Sequence, residues 1–277
     1  MSLITPAALL TRLGDPALLL CDVRWWLTES DKGRRDYEAG HLPGAVWVDL
    51  GRDLAAAEGP GRHPLPSPAQ FSATMASLGI GDDSDVVVYD DAGGTIAARL
   101  WWMLDDLGHR SVRVLDGGLA AWTTAGGPVT TDVPEPAVPA VLTLRGTWRR
   151  VVDRERLLPM LGTTALIDAR AHERYRGDLE PVDALPGHIP TAISRPTAGN
   201  LDATGRFLGP DALRARFDTL GPDVVTSCGS GVTACHNALA MRVAGLPDPI
   251  LYVGSYSDWA GTGMPIATGD EPGIMPA

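Results

Sequence analysis

Asp223-Val224-Val225-Thr226-Ser227-Cys228-Gly229-Ser230-Gly231-Val232-Thr233-Ala234 runs from apolar residues through a glycine-rich turn into a helix-forming segment. The apolar run Asp223–Thr226 predicts a short buried strand, and 235–244 reads as the body of a helix. Cys228 therefore falls in a strand-to-helix loop. Gly229 and Gly231, with the hydroxyl residues Ser230 and Thr233, let successive backbone N–H groups turn inward around the sulfur. The unpaired N–H groups and dipole at the start of the helix add positive potential. That environment favours the thiolate, which is the nucleophilic form of cysteine. Free cysteine is also among the most buried residue types. A packing role for Cys228 would not, however, account for a glycine-rich cradle that begins at the cysteine.

Outward from this loop, strand-like runs alternate with helix-like segments along the whole chain. Strands are predicted at 17–21, 86–89, 112–115, 165–168, 223–226 and 250–253, and helices at 68–78, 95–107, 154–161, 210–220 and 233–244. Such alternation implies an α/β fold, with parallel sheets flanked by helices on both faces. Ligands in such folds bind outside the carboxyl ends of the strands, which is where Cys228 lies.

The chain also repeats itself at domain length. Asp168-Ala169-Arg170 follows Asp22-Val23-Arg24 by 146 residues, and Gly187-His188-Ile189-Pro190 follows Gly40-His41-Leu42-Pro43 by 147. Further on the spacing changes: Gly245 follows Gly108, and Trp259 follows Trp122, by 137. The first copy thus holds about ten extra residues, in an interval containing His63-Pro64-Leu65-Pro66-Ser67-Pro68. At the later spacing Asp91 stands opposite Cys228, so the first copy keeps the scaffold without the sulfur. A repeat this long is a duplicated folding unit rather than a solenoid. The division expected is a first domain over 1–130, an extended proline-rich linker over 131–145, and a second domain over 146–277.

The segment Cys228-Gly229-Ser230-Gly231-Val232-Thr233-Ala234 resembles the active-site loop of the rhodanese superfamily, in its mercaptopyruvate sulfurtransferase branch. Asp168-Ala169-Arg170, Arg174-Tyr175-Arg176-Gly177, Gly187-His188-Ile189-Pro190 and Gly254-Ser255-Tyr256-Ser257-Asp258-Trp259 extend the resemblance over the second half. Two tandem rhodanese-like domains are implied, the second catalytic. So is sulfur transfer through a Cys228 persulfide from a small anionic donor, 3-mercaptopyruvate or thiosulfate, to cyanide, a small thiol or thioredoxin, with no cofactor and no metal. Arg174 matches the first arginine of the family's R-[FY]-x-G block and is expected to anchor the donor. The family's E-P-R-D block reads Glu180-Pro181-Val182-Asp183 here. The missing arginine at 182 is expected to weaken donor binding. A first-domain histidine and a nearby acid assigned beside the loop serine in that branch would match His41 and Asp31, next to Ser230.

Other classes fit less well. Cysteine phosphatases and arsenate reductases need an arginine where Ala234 stands, whereas a sulfur carrier or regulatory binding module would share this loop. The two Gly-His-x-Pro turns occur in both copies, which favours a structural role for their histidines, and the Asp-x-Arg pairs at strand ends read as local salt bridges. Trp101 and Trp102, on a helix, read as core.

Composition agrees with a globular protein: 277 residues, 44% hydrophobic and 21% charged, enough for two domains with cores of their own. A net charge of −11 without any basic run argues against a nucleic-acid partner. No apolar run reaches membrane-spanning length, and the first twenty residues lack a signal-peptide pattern. Cys21, Cys228 and Cys235 are an odd set without framework spacing, which suits the reducing cytoplasm. Helix rise separates Cys228 from Cys235 by roughly 10 Å, against a limit near 7 Å for a disulfide. A monomer or weak oligomer is expected.

Overall fold

Continuous apolar runs such as Val86-Val87-Val88-Tyr89 form strands buried on both faces, and only a parallel sheet covered by helices on each side offers that environment. The structure, a computed structural model, describes residues 2–29, 31–135 and 137–275. Two compact units are present. The first comprises Met1–Ala56, Pro66–Arg149 and Asp202–Phe207, and the second comprises Ala57–Leu65, Arg150–Leu201 and Leu208–Ala277.

In the first unit β1 (Leu3–Ile4), β2 (Leu18–Asp22), β3 (Val46–Trp47), β4 (Asp85–Tyr89) and β5 (Val112–Leu115) form one sheet in the order β1-β5-β4-β2-β3. In the second unit β6 (Val151–Val152), β7 (Ala165–Asp168), β8 (Ile193–Ser194), β9 (Val224–Ser227) and β10 (Ile250–Tyr252) repeat it as β6-β10-β9-β7-β8. Every pairing within the two sheets is parallel. In the second sheet the chain leaves β7 toward β8 on one side and returns as β9 on the other. The carboxyl ends of β7 and β9 therefore flank the switch point at which ligands bind in open α/β sheets.

The partition differs from the sequence-based division in two short segments. Ala57–Leu65, from the first repeat, belongs to the second unit, and Asp202–Phe207, from the second repeat, belongs to the first. The expected linker 131–145 belongs with the first unit, and its described part is hydrogen-bonded to it. Ala140 donates its N–H to Ala76 O (2.9 Å), Val141 O accepts from Asp82 N–H (3.0 Å), and Arg145 donates to Leu107 O (2.9 Å). The stretch is extended because its prolines exclude helix, and it is strapped rather than free.

The two repeated motifs at strand ends are structural staples. Arg170 grips Asp168 (2.6 Å) and donates to Gly187 O (2.7 Å), and Arg24 does the same to Asp22 (2.6 Å) and Gly40 O (2.7 Å). Each Gly-His-x-Pro turn is thereby tied to an interior strand, β2 or β7. His188 is buried, stacked on Tyr175 with ring centres 3.7 Å apart, and its Nδ1 bonds Tyr175 O at 2.8 Å. Burial lowers its pKa, so the ring stays neutral. Trp101 and Trp102 are core residues of the helix Ala97–Asp106.

Candidate active site

Ser227 ends β9, and the next five residues, Cys228–Val232, are all buried before the helix Ala234–Val243 begins. The loop is held from below by the Gly254-Ser255-Tyr256-Ser257 segment that follows β10. Cys228 N–H donates to Ser255 Oγ (3.1 Å), Cys228 O accepts from Tyr256 N–H (3.0 Å), and Gly229 O accepts from Ser257 N–H (2.9 Å). Ser255 adopts φ +52°, a left-handed conformation costly for a side chain, which places its hydroxyl between the Cys228 N–H and Tyr252 O. Gly231, at φ +74°, lies so close to Val253 O that a Cβ would come within 2.5 Å of it, so only glycine fits there. Cys228 is 2% exposed, which shelters the sulfur from bulk water.

Arg174 sits on the short helix His172–Arg176, after β7. Its guanidinium donates to Glu180 through Nη2 (2.7 Å) and Nε (3.2 Å), and through Nη2 to Asp183 (3.2 Å). This fork holds it facing the loop: a Cβ added at Gly229 would lie 3.6 Å from Arg174 Nη1 and 3.8 Å from Nη2. Burial pushes the Glu180 carboxyl up, but the hydrogen bonds from Arg174 and from the Asp183 and Val182 N–H groups outweigh it and hold the carboxyl below its ordinary range. For Asp183 burial dominates and raises it, despite the neighbouring Arg62.

Two further side chains come from Ala57–Leu65. His63 Nδ1 bonds Ser230 Oγ at 2.8 Å, with the tautomer deciding which group donates. Arg62 pairs through Nη1 with Asp183, and its N–H donates to Ser257 Oγ at 3.1 Å. The segment approaches closely because Gly61, at φ +75°, would carry a Cβ only 2.4 Å from Gly254 O. A buried thiol, a hydroxyl–imidazole pair and two guanidiniums thus surround Cys228–Ser230. Among the described residues no group of three or more His, Cys, Asp and Glu side chains is arranged to hold a metal ion.

The rhodanese-like domain family matches this chain twice, over residues 5–125 and 153–262. The chain belongs to the rhodanese family. A protein of Pseudomonas aeruginosa named as a probable 3-mercaptopyruvate sulfurtransferase is 44% identical over 97% of this chain and 98% of its own length. The thiosulfate sulfurtransferase of Bos taurus is 37% identical over 88% and 85%. Among solved structures, the 3-mercaptopyruvate sulfurtransferase from Leishmania major superposes with a TM-score of 0.82 at 28% identity, covering 95% of this chain and 75% of that one.

In this rhodanese the imidazole at Ser230 is that of His63, not His41. His41 is fully buried in the first unit, stacked on Tyr37, with its ring nitrogens bonded to Tyr37 O (2.7 Å) and Asp132 O (3.2 Å). It therefore does the same turn-fixing work as His188. Asp31 is exposed at the start of the helix Lys32–Ala39 and makes no capping hydrogen bond. Thr233, the residue before the helix Ala234–Val243, also makes no side-chain capping bond. Its hydroxyl is not recruited to cap the helix.

The loop of the first repeat is filled by its own carboxylate. Asp90, which corresponds to Ser227, is fully buried and accepts the N–H groups of Ala92 (2.9 Å), Gly94 (2.8 Å), Ile96 (2.8 Å) and Ala97 (2.9 Å). An internal anion thus takes the donors that an external one would need. In the second repeat Ser227 instead turns its hydroxyl away, to Ile167 O (3.2 Å). Asp91, opposite Cys228, is exposed and has no sulfur to offer. Asp91→Ala is expected to leave persulfide formation with donor unchanged, read by mass spectrometry of the intact protein. A collapse of that half-reaction in a folded variant would give the first repeat a chemical role.

Proposed function

We propose that the protein is a sulfurtransferase that moves sulfur from a small anionic donor, 3-mercaptopyruvate in preference to thiosulfate, through a persulfide on Cys228 to a thiophilic acceptor. The observation that carries this reading is the placement of Cys228 at the carboxyl end of β9, beside two guanidiniums and the Ser230–His63 pair. The Cys228 thiolate attacks the donor sulfur and a sulfur–sulfur bond forms. With mercaptopyruvate the carbon–sulfur bond breaks, its electron pair goes to the methylene carbon, and the resulting enolate takes a proton to become pyruvate. Ser230 and His63 form the proton-bearing pair placed to supply it. With thiosulfate the sulfur–sulfur bond of the donor breaks and sulfite leaves with the pair. In the second half-reaction cyanide, a small thiol or thioredoxin attacks the outer sulfur and Cys228 returns to the thiolate, so the kinetics are ping-pong. The reading also places the protein in a reducing cytoplasm, in keeping with the three free thiols of Cys21, Cys228 and Cys235.

The donor preference follows from charge. Thiosulfate-type loops carry Arg and Lys directly after the cysteine, whereas Gly229 and Ser230 are neutral here. Arg62 and Arg174 are matched by Glu180 and Asp183, which leaves hydrogen-bond donors with little net positive charge. Such a site suits one carboxylate better than a dianion. Each missing charge-assisted bond costs the dianion about 1.5–3 kcal/mol, roughly tenfold to hundredfold in rate. Steady-state kinetics with both donors side by side should give the higher kcat/KM for mercaptopyruvate. A preference for thiosulfate would overturn the charge argument, and one sulfur bound without turnover on any acceptor would indicate a carrier instead.

A further inference from the structure

We propose that Arg62 is a donor-binding residue, which with Arg174 forms a two-guanidinium clamp for the carboxylate of the donor and so helps to set specificity. This deepens the sulfurtransferase reading and rests on it. Three observations carry the inference. A Cβ added at Gly229 would lie 2.8 Å from Arg62 Nη2, nearer than either terminal nitrogen of Arg174, so the Arg62 guanidinium stands at the residue that follows Cys228. Arg62 Nε is buried and has no hydrogen-bond partner among the described residues. A buried donor left unmade is costly, and an acceptor at the site would remove that cost. Finally, Asp183 joins the two arginines: it pairs with Arg62 Nη1 and accepts from Arg174 Nη2 at 3.2 Å, so one carboxylate orients both forks.

The clamp also changes what Val182 means. The segment Glu180-Pro181-Val182-Asp183 supplies no cation of its own. The second cation arrives instead from residue 62, held by the Arg62 N–H bond to Ser257 Oγ and the close approach of Gly61. The weakened donor binding expected from Val182 is therefore offset. A carboxylate bound between the guanidiniums would engage Arg62 Nη2 and Nε while Arg174 presents Nη1, the fork geometry that suits two oxygens.

Alkylation of Cys228 tests the clamp without any sulfur chemistry. The thiolate displaces iodide from iodoacetate, which carries a carboxylate, or from iodoacetamide, which is neutral and nearly the same size. Rates are followed by mass spectrometry of the peptide containing Cys228. Arg62→Ala and Arg62→Gln should each lower the iodoacetate rate tenfold or more, with the iodoacetamide rate unchanged, and should raise KM for mercaptopyruvate more than they lower kcat. Arg62→Lys, which restores the charge, should recover part of the iodoacetate rate. An iodoacetate-to-iodoacetamide ratio unchanged in Arg62→Gln, or an equal fall in both rates, would show that Arg62 only shapes the loop and would overturn the proposal. A selective loss with iodoacetate in a protein that transfers no sulfur would support the clamp while sinking the sulfurtransferase reading, so the two failures are separable.

Discussion

Cys228→Ser should abolish turnover with every donor and acceptor, a loss of roughly 10⁴-fold or more, the scale expected when a covalent nucleophile is removed. The wild-type protein, incubated with donor and no acceptor, should gain the mass of one sulfur atom on the peptide containing Cys228, and the serine variant should gain nothing. The substitution is nearly isosteric in a loop whose backbone is held by Ser255, Tyr256 and Ser257, so the fold should survive. A serine hydroxyl stays protonated near neutral pH and cannot store sulfur at the persulfide level. Cys21 and Cys235 are the rival carriers, and geometry argues against both. Cys21 is fully buried in β2, and burial pushes its thiol far up, which keeps it protonated and inert. Cys235 is buried behind the loop, with its sulfur within hydrogen-bonding distance (3.4 Å) of Gly231 O. Sulfur found on either of these, or full activity in the serine variant, would refute the assignment of Cys228.

The fold was readable wherever burial writes itself into periodicity. β4 carries the apolar run Val86-Val87-Val88-Tyr89 and β9 the pair Val224-Val225 followed by the buried Thr226 and Ser227, because both faces of each strand are covered, and their limits fall within a residue or so of those expected. The edge strands Leu3–Ile4, Val46–Trp47, Val151–Val152 and Ile193–Ser194 have only two residues each, too few to carry a period. They exist by pairing with a neighbour remote in sequence. The helix expected from Thr95 begins at Ala97, after a turn in which the Asp90 carboxylate takes up the N–H groups of Ile96 and Ala97. Nothing local announces that capping.

The same distinction divides the site. Cys228 and its glycines are legible because the chemistry is contiguous in the chain. The family resemblance pointed to His41 as the first-domain histidine, whereas the recurrence of its turn in both copies, including the one without sulfur, marked it as scaffold, and the rings of His41 and His188 are both buried against backbone carbonyls. The histidine bonded to Ser230, His63, lies instead in the interval of the first copy where the repeat spacing changes. The change of spacing was the available signal. It could not say where the extra residues go, because the approach of Arg62 and His63 to Asp183 and Ser230 spans 121 and 167 residues of sequence.

Arg174→Ala should reduce kcat/KM roughly hundredfold for both mercaptopyruvate and thiosulfate, more than any other single change outside the nucleophile. The charge-assisted bond from Nη1 is at stake, since Nη2 and Nε are held by Glu180 and Asp183, and it is worth about 1.5–3 kcal/mol, up to roughly a hundredfold. The guanidinium is pre-oriented by Glu180 through two contacts of 2.7 and 3.2 Å, so the wild type loses little side-chain entropy on binding and the full interaction is realised. Lysine at this position keeps the charge but lacks the rigid planar fork that lets Glu180 fix one edge of the guanidinium while Nη1 faces the donor, so Arg174→Lys should recover only part of the loss. Removal of Arg174 does not strand its partners. Glu180 keeps the N–H groups of Val182 and Asp183 and lies 3.4 Å from Arg170 Nη1, and Asp183 keeps Arg62. Thermal unfolding should therefore change far less than activity, and the loss should appear mainly in KM if Arg174 binds ground state and transition state alike. A variant with wild-type kcat/KM for both donors would remove Arg174 from the site and leave Arg62 as the principal anchor.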